Sequence, residues 1–175
     1  RRCKTYWGIR ALKKYKLKCY VPMLMLMLMT WRSKHIWGRR MTLIYDKVTV
    51  IGMGLIGASI ALSIRRGGLA GLVIGSDCSP DVAKNVARLN ITEQFEADAT
   101  TAVKDSDLVI MAVPVGAVGI LAEQIIPQMK SGAVLTDTGS TKKSVLRDVA
   151  PHLREDIYWL PSHPLAGTEH SGPCA

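Results

Sequence analysis

Residues 48–57 read Val-Thr-Val-Ile-Gly-Met-Gly-Leu-Ile-Gly. A β-branched apolar run breaks directly into Gly52-x-Gly54-x-x-Gly57, and an amphipathic segment from Ala58 to Arg66 follows. In this strand–turn–helix setting the three glycines have separate tasks. Gly52 permits the tight turn, Gly54 lets backbone approach a pyrophosphate, and Gly57 lets the helix pack close on the strand. Met53, Leu55 and Ile56 fill the intervening positions, so Gly52 to Gly57 is expected to form one phosphate-facing loop. The helix N-terminus adds free N–H groups and a partial positive charge. Asp77 stands 20 residues past the last glycine, at the end of a second apolar run from Leu72 to Ser76. An acid at that distance is expected to hydrogen-bond an adenosine ribose. A glycine-rich turn that binds nothing would account for the glycines, but not for strand, helix and acid in register.

The chain of 175 residues carries a formal charge of +9, which by itself would suggest a nucleic-acid partner. Its distribution argues otherwise. Residues 1–40 hold 12 of the 23 Lys and Arg and no acid, leaving 11 cations against all 14 acids in 41–175, a net charge of about −3. A basic nucleic-acid face on the body is therefore excluded from the reading. Cys3, Cys19, Cys78 and Cys174 form no CxxC pair and no metal or disulfide spacing, which fits reduced thiols in a cytosol. The apolar run Val21 to Met29 is interrupted by Pro22 and is too short to span a bilayer, which takes about 20 residues.

Residues 1–40 differ from the rest, with three of the four Trp and a Met-Leu alternation over 23–29. Three readings compete: translated upstream sequence with Met41 as the true start, a targeting segment, and a membrane-surface helix. The alternation has period two rather than 3.6, which disfavours the helix. The favoured reading is a basic, low-complexity extension over 1–40, disordered or not native, followed by a nucleotide-binding domain over 41–175. Within that domain the pattern alternates: strand 47–52, helix 55–66 stopped by Gly67-Gly68, strand 72–76, and a helix from Pro80 capped by Ser79. A weak strand at 95–97, a buried strand over 107–114, helix 116–126, strand 133–137, helix 141–150 and strand 157–160 follow. Such alternation predicts a doubly wound α/β fold, a mostly parallel sheet with helices on both faces and ligands at the strands' C-terminal edge.

Three segments should meet at that edge. Beside Asp77 the first cation is Lys84, and no Arg stands ready for a 2′-phosphate, so NAD is preferred over NADP. Val113 and Pro114 end a buried strand; they read equally as an apolar wall against the cofactor and as a plain strand terminator. Ser140 follows Gly139 and precedes a helix, as an ordinary N-cap would, yet that position also exposes its hydroxyl at the edge. His163 sits just past a strand and before Pro164; a lone histidine is more often structural or solvated, yet a neutral imidazole there can take a proton from an alcohol. Thr168, Glu169 and His170 are polar loop residues.

Together these residues resemble the prephenate and arogenate dehydrogenases of tyrosine biosynthesis. The likeness is carried by residues 50–59, by Asp-Leu-Val-Ile-Met-Ala-Val-Pro-Val (107–115), by Thr-Asp-Thr-Gly-Ser-Thr-Lys (136–142) and, most specifically, by Ser-His-Pro-Leu-Ala-Gly-Thr-Glu-His-Ser-Gly-Pro (162–173). The resemblance implies a Rossmann-type domain and NAD-dependent oxidative decarboxylation of prephenate or arogenate. It implies His163 as the catalytic base at the ring hydroxyl and Ser140 as the residue that orients it. It places Thr168 and Glu169 at the substrate entrance. Family members continue into a helical domain that dimerises and supplies an arginine for the substrate carboxylate. Ala175 ends the chain before that domain, so the expectation is a cofactor-binding fragment, a homodimer only through the further domain, and little turnover alone. Two other readings stay open: a non-catalytic nucleotide-binding module, and a β-hydroxyacid dehydrogenase, which the His-Pro-Leu-Ala-Gly-Thr-Glu loop does not suit.

Overall fold

The computed structural model describes residues 43–164. The expectations for residues 1–40, for Met41, and for Thr168, Glu169 and the rest of 165–173 lie outside the described residues.

Six strands form one sheet: β1 (Tyr45–Ile51), β2 (Ala70–Ser76), β3 (Gln94–Glu96), β4 (Leu108–Met111), β5 (Val134–Asp137) and β6 (Tyr158–Pro161). Their order is β3-β2-β1-β4-β5-β6, and every neighbouring pair runs parallel. The helices are α1 (Leu55–Arg66), α2 (Pro80–Arg88), α3 (Ala99–Ala102), α4 (Val115–Ile125) and α5 (Lys142–Val149). The doubly wound α/β sheet read from the alternation is present. None of these helices is long and apolar enough to cross a membrane.

β1 sits centrally, which is why its last four residues are buried without alternation. Ile51, Val109, Met111 and Leu135 face one side and pack with Val118, Ala122 and Ile125 of α4 and Val145 and Val149 of α5. The intervening Val48, Val50 and Val73 are as deeply buried. The two-residue period of a strand turns them to the opposite layer, where α1 contributes Ala61 and Ile64. Each fully buried Val, Leu, Ile or Met side chain stabilises the fold by about 1.5–3 kcal/mol. Thr49 breaks the apolar run without penalty, because its hydroxyl donates to the Ala102 carbonyl at 2.9 Å and lies 2.8 Å from Ser106 Oγ.

Local signals set the helix ends. Gly68, at φ +59, lets the chain leave α1, with Leu69 N–H donating back to the Ile64 carbonyl at 3.1 Å. Ser79 caps α2 by accepting the Val82 N–H, and Pro80 occupies the first turn. Two expectations change. β4 ends at Met111 rather than at Pro114; Pro114 instead precedes α4 and accepts the Ala117 N–H at 2.9 Å. Proline's fixed φ suits that helix start and removes no ladder donor. The cap of α5 is Thr141, not Ser140, and it makes no side-chain cap bond; Ser144 Oγ donates to its carbonyl at 2.8 Å. The one-turn α3, capped by Asp98 accepting the Thr100 N–H at 3.0 Å, was not foreseen because one turn carries no periodicity.

At the N-terminal edge of the sheet, Asp107 accepts the N–H groups of Asp46 (2.8 Å) and Lys47 (2.9 Å) and pairs with Lys130. Partial burial pushes its carboxyl up, but the Lys130 ammonium and the two N–H groups outweigh that and hold it below the usual carboxylate range.

Candidate functional site

Strand order reverses at β1, with β2 to one side and β4 to the other. A crevice opens at such a switch point, outside the carboxyl ends of the strands. The glycine loop lies in it. Gly52 has φ +89, and a Cβ there would fall 2.6 Å from the Ala112 carbonyl oxygen. A Cβ on Gly57 would fall 2.0 Å from the Gly52 oxygen. Both outer glycines are therefore fixed by close packing, and Gly57 is specifically what lets α1 begin against the loop. Gly54 differs: nothing lies within 4 Å of its Cβ position. It is the N-cap residue of α1, no side chain caps the helix, and no acid sits in its first turn. Free N–H groups and the positive end of the helix dipole thus face open space, an arrangement suited to an anion. Leu55 and Ile56 are exposed beside it, while Met53 turns inward and packs on Gly75 of β2, whose Cβ would lie 3.1 Å from the Met53 sulfur.

Asp77 follows β2 and grips this loop. Its Oδ2 accepts the Met53 N–H and its Oδ1 accepts the Ser79 N–H, both at 2.9 Å. A carboxylate has about four acceptor positions, so each oxygen keeps capacity for a further donor such as a ribose hydroxyl. Cys78, next in sequence, is exposed. Of the cations nearest in sequence, Lys84 pairs with Asp81 at 3.1 Å, Arg88 with Asn85 at 3.3 Å and Arg65 with Glu93 at 2.7 Å, while Arg66, in the last turn of α1, is exposed. Of the β4 pair, Pro114 is exposed, whereas Val113 packs against the core and near Gly52.

Further along the same edge, β5 and β6 end side by side, with Asp137 opposite Pro161. Ser140 follows β5 and is exposed, free of any hydrogen bond among the described residues. His163 follows β6 and is also exposed. Between their two loops lies Asp137, fully buried. Its Oδ2 accepts the Gly139 N–H at 2.8 Å and pairs with Lys142; its Oδ1 accepts the Ser162 N–H at 3.3 Å. Lys142 is thus held by a carboxylate.

Asp77, the glycine loop, Val113-Pro114, Ser140 and His163 therefore lie along one edge in the strand order β2, β1, β4, β5, β6. At about 4.8 Å per strand the row spans about 19 Å. Sequence reasoning missed Asp137 as an organiser and Gly75 as the seat of Met53. A glycine inside an apolar strand does mark a close approach, and that signal was available for Gly75.

With this geometry established, comparison with known proteins is specific. The family profile described as "Prephenate dehydrogenase, nucleotide-binding domain" matches residues 60–175. The chain is 38% identical over 132 residues to a cyclohexadienyl dehydrogenase of Zymomonas mobilis, covering 75% of this chain and 45% of that protein. It is 32% identical to a prephenate dehydrogenase of Lactococcus lactis, covering 74% of this chain and 36% of that one. Among solved structures, Aquifex aeolicus prephenate dehydrogenase in complex with hydroxyphenyl propionate and NAD+ superposes with a TM-score of 0.63 at 28% identity, covering 73% of this chain and 44% of that one. The chain spans less than half the length of these relatives.

Proposed function

The chain belongs to the prephenate dehydrogenase family, as its nucleotide-binding domain, and from that premise we propose that it binds NAD and serves the oxidative decarboxylation of prephenate or arogenate. The observation that carries this reading is Gly54. It lies open over the uncapped start of α1, between a Met53 pinned by Asp77 and a Gly57 that admits no side chain. A pyrophosphate fits that cradle, and the spare acceptor capacity of Asp77 suits the adenosine ribose. NAD is favoured over NADP, because a 2′-phosphate would meet the Asp77 charge, and no Arg immediately follows Asp77 to offset it.

When bound, the oxidised nicotinamide supplies a hydride acceptor. The chain's own residues handle the proton. His163 takes the proton of the ring hydroxyl, and Ser140 orients that hydroxyl and the imidazole. Thr168 and Glu169 line the substrate entrance. Release of the ring carboxylate as carbon dioxide leaves 4-hydroxyphenylpyruvate or tyrosine. Dimerisation through the family's helical domain belongs to the same proposal, as does work in the cytoplasm.

Calorimetric titration of the chain tests the cofactor assignment. Saturable NAD binding, with NADP weaker by at least about tenfold, a difference of about 1.4 kcal/mol, is expected. An absence of NAD binding would overturn it.

A further inference from the structure

We propose that Asp137 is the positioning residue of this site, locking the Ser140 loop to the His163 loop. The inference rests on the roles proposed above for Ser140 and His163. Asp137 closes β5, and its carboxylate is fully buried. Burying an ionised carboxylate is costly, and well-packed apolar residues in place of a buried ion pair are often as stable or more so. Packing alone does not call for an acid here; the geometry does. One oxygen holds the Gly139 N–H at 2.8 Å, one residue before Ser140. The other holds the Ser162 N–H at 3.3 Å, one residue before His163. The same residue's backbone carbonyl accepts the Ser162 hydroxyl at 2.5 Å, so the His163 loop is bound to it twice. Lys142 supplies the counter-charge from the first turn of α5.

Glycine at 139 belongs to the same device. A Cβ there would stand 3.0 Å from Asp137 Oδ2 and 3.2 Å from a Val145 methyl, so a larger residue would push the loop off the carboxylate. Thr136 Oγ1 adds a strand-to-strand bond, donating to the Leu160 carbonyl at 2.6 Å. Two loops that leave adjacent strands are thereby joined through a single side chain. Neither exposed residue has to be held by its own contacts.

The test uses the isotope-labelled 175-residue chain and NMR. In Asp137→Asn, an amide replaces the carboxylate and offers one acceptor where two N–H groups and an ammonium are held. Hydrogen exchange at Gly139 and Ser162 should accelerate by about tenfold, the measure of one lost hydrogen bond of roughly 1.4 kcal/mol. Amide signals of Ser140 and His163 should move, while those of Ala61 and Val73 on the opposite layer stay put. Ser162→Ala should displace His163 in the same way, and Ser162→Thr, which keeps the hydroxyl, should restore it. Unmoved Ser140 and His163 signals in both variants would overturn the proposal. So would displacement spread evenly over both layers, the mark of a merely structural acid. If Asp137→Asn does not fold, Gly139→Ala decides: its methyl would stand 3.0 Å from Asp137 Oδ2 and push the Ser140 loop off the same carboxylate, so an unmoved Ser140 signal there would overturn the proposal as well. NAD titration of the unaltered chain runs beside this. Failure to bind NAD with the loop responses intact sinks the proposed function and not the positioning, and the converse result does the opposite.

Discussion

The Asp77 carboxylate accepts the Met53 N–H at 2.9 Å, so the acid that ends β2 also sets the shape of the glycine loop that follows β1. Asp77→Ala should therefore weaken NAD binding twice over, through the lost ribose acceptor and through a loosened loop. With the ribose hydrogen bond alone at about 1.5–3 kcal/mol, the loss should be at least about tenfold to a hundredfold in Kd by calorimetry. An unchanged Kd would place the ribose elsewhere.

Three alanine substitutions in the loop should separate folding from binding. Gly57→Ala forces a methyl to 2.0 Å from a backbone oxygen, and Gly52→Ala adds a strained positive φ to a 2.6 Å approach. Each should destabilise the chain by about 3 kcal/mol or more, read as a lower urea midpoint. Gly54→Ala, with open space around its Cβ, should leave that midpoint nearly unmoved, within about 1 kcal/mol, yet cut NAD affinity sharply. A Gly54→Ala protein that binds NAD as before removes the pyrophosphate from this position.

Acid unfolding should trace in part to Asp107. Its carboxyl is held below the ordinary value by Lys130 and two N–H groups despite burial. Its contribution is thus complete above the ordinary carboxyl pKa of about 3.9 and fades as pH falls through the lower folded-state value. Lys130→Met should raise that folded value and move the onset of acid unfolding to higher pH. Urea midpoints recorded from about pH 2 to 6 would reveal the shift; superimposable profiles would assign acid lability to other groups.

His163→Asn should leave NAD binding intact, since the imidazole is exposed two residues beyond β6 and remote from the glycine loop in strand order. In a fusion to the C-terminal part of the Zymomonas mobilis relative, the same change should slow prephenate-dependent NADH formation by about 10²–10⁴-fold. A rate within about threefold of the unaltered fusion would dismiss the histidine as the base.

Much of this was readable beforehand, and the reason is local. Gly57, Ser79 and Gly67-Gly68 act within a few residues of themselves, and the positive φ of Gly52 is equally local, so their jobs follow from short-range sterics and capping. The buried runs of β1, β2 and β4 announce a sheet covered on both faces. What escaped depends on partners far away in sequence. Asp137 reads as one more polar residue in Thr-Asp-Thr-Gly-Ser, because Ser162 lies 25 positions on. The Lys142 partner, only five positions back, is hidden for another reason: a loop's polarity is legible, and its internal pairing is not. Pro114 misled because proline both closes strands and opens helices, and only the Ala117 N–H on its carbonyl tells which.

The three glycines carry unequal information for anyone reading kindred sequences. The outer two answer to the chain's own backbone, so their retention testifies only that the turn is built. The middle one alone has open space where a side chain would stand, and on the proposed reading that space is kept for a visitor. If the pyrophosphate sits there, a kindred chain that keeps 52 and 57 but bears a bulky residue at 54 has preserved its architecture and relinquished its guest.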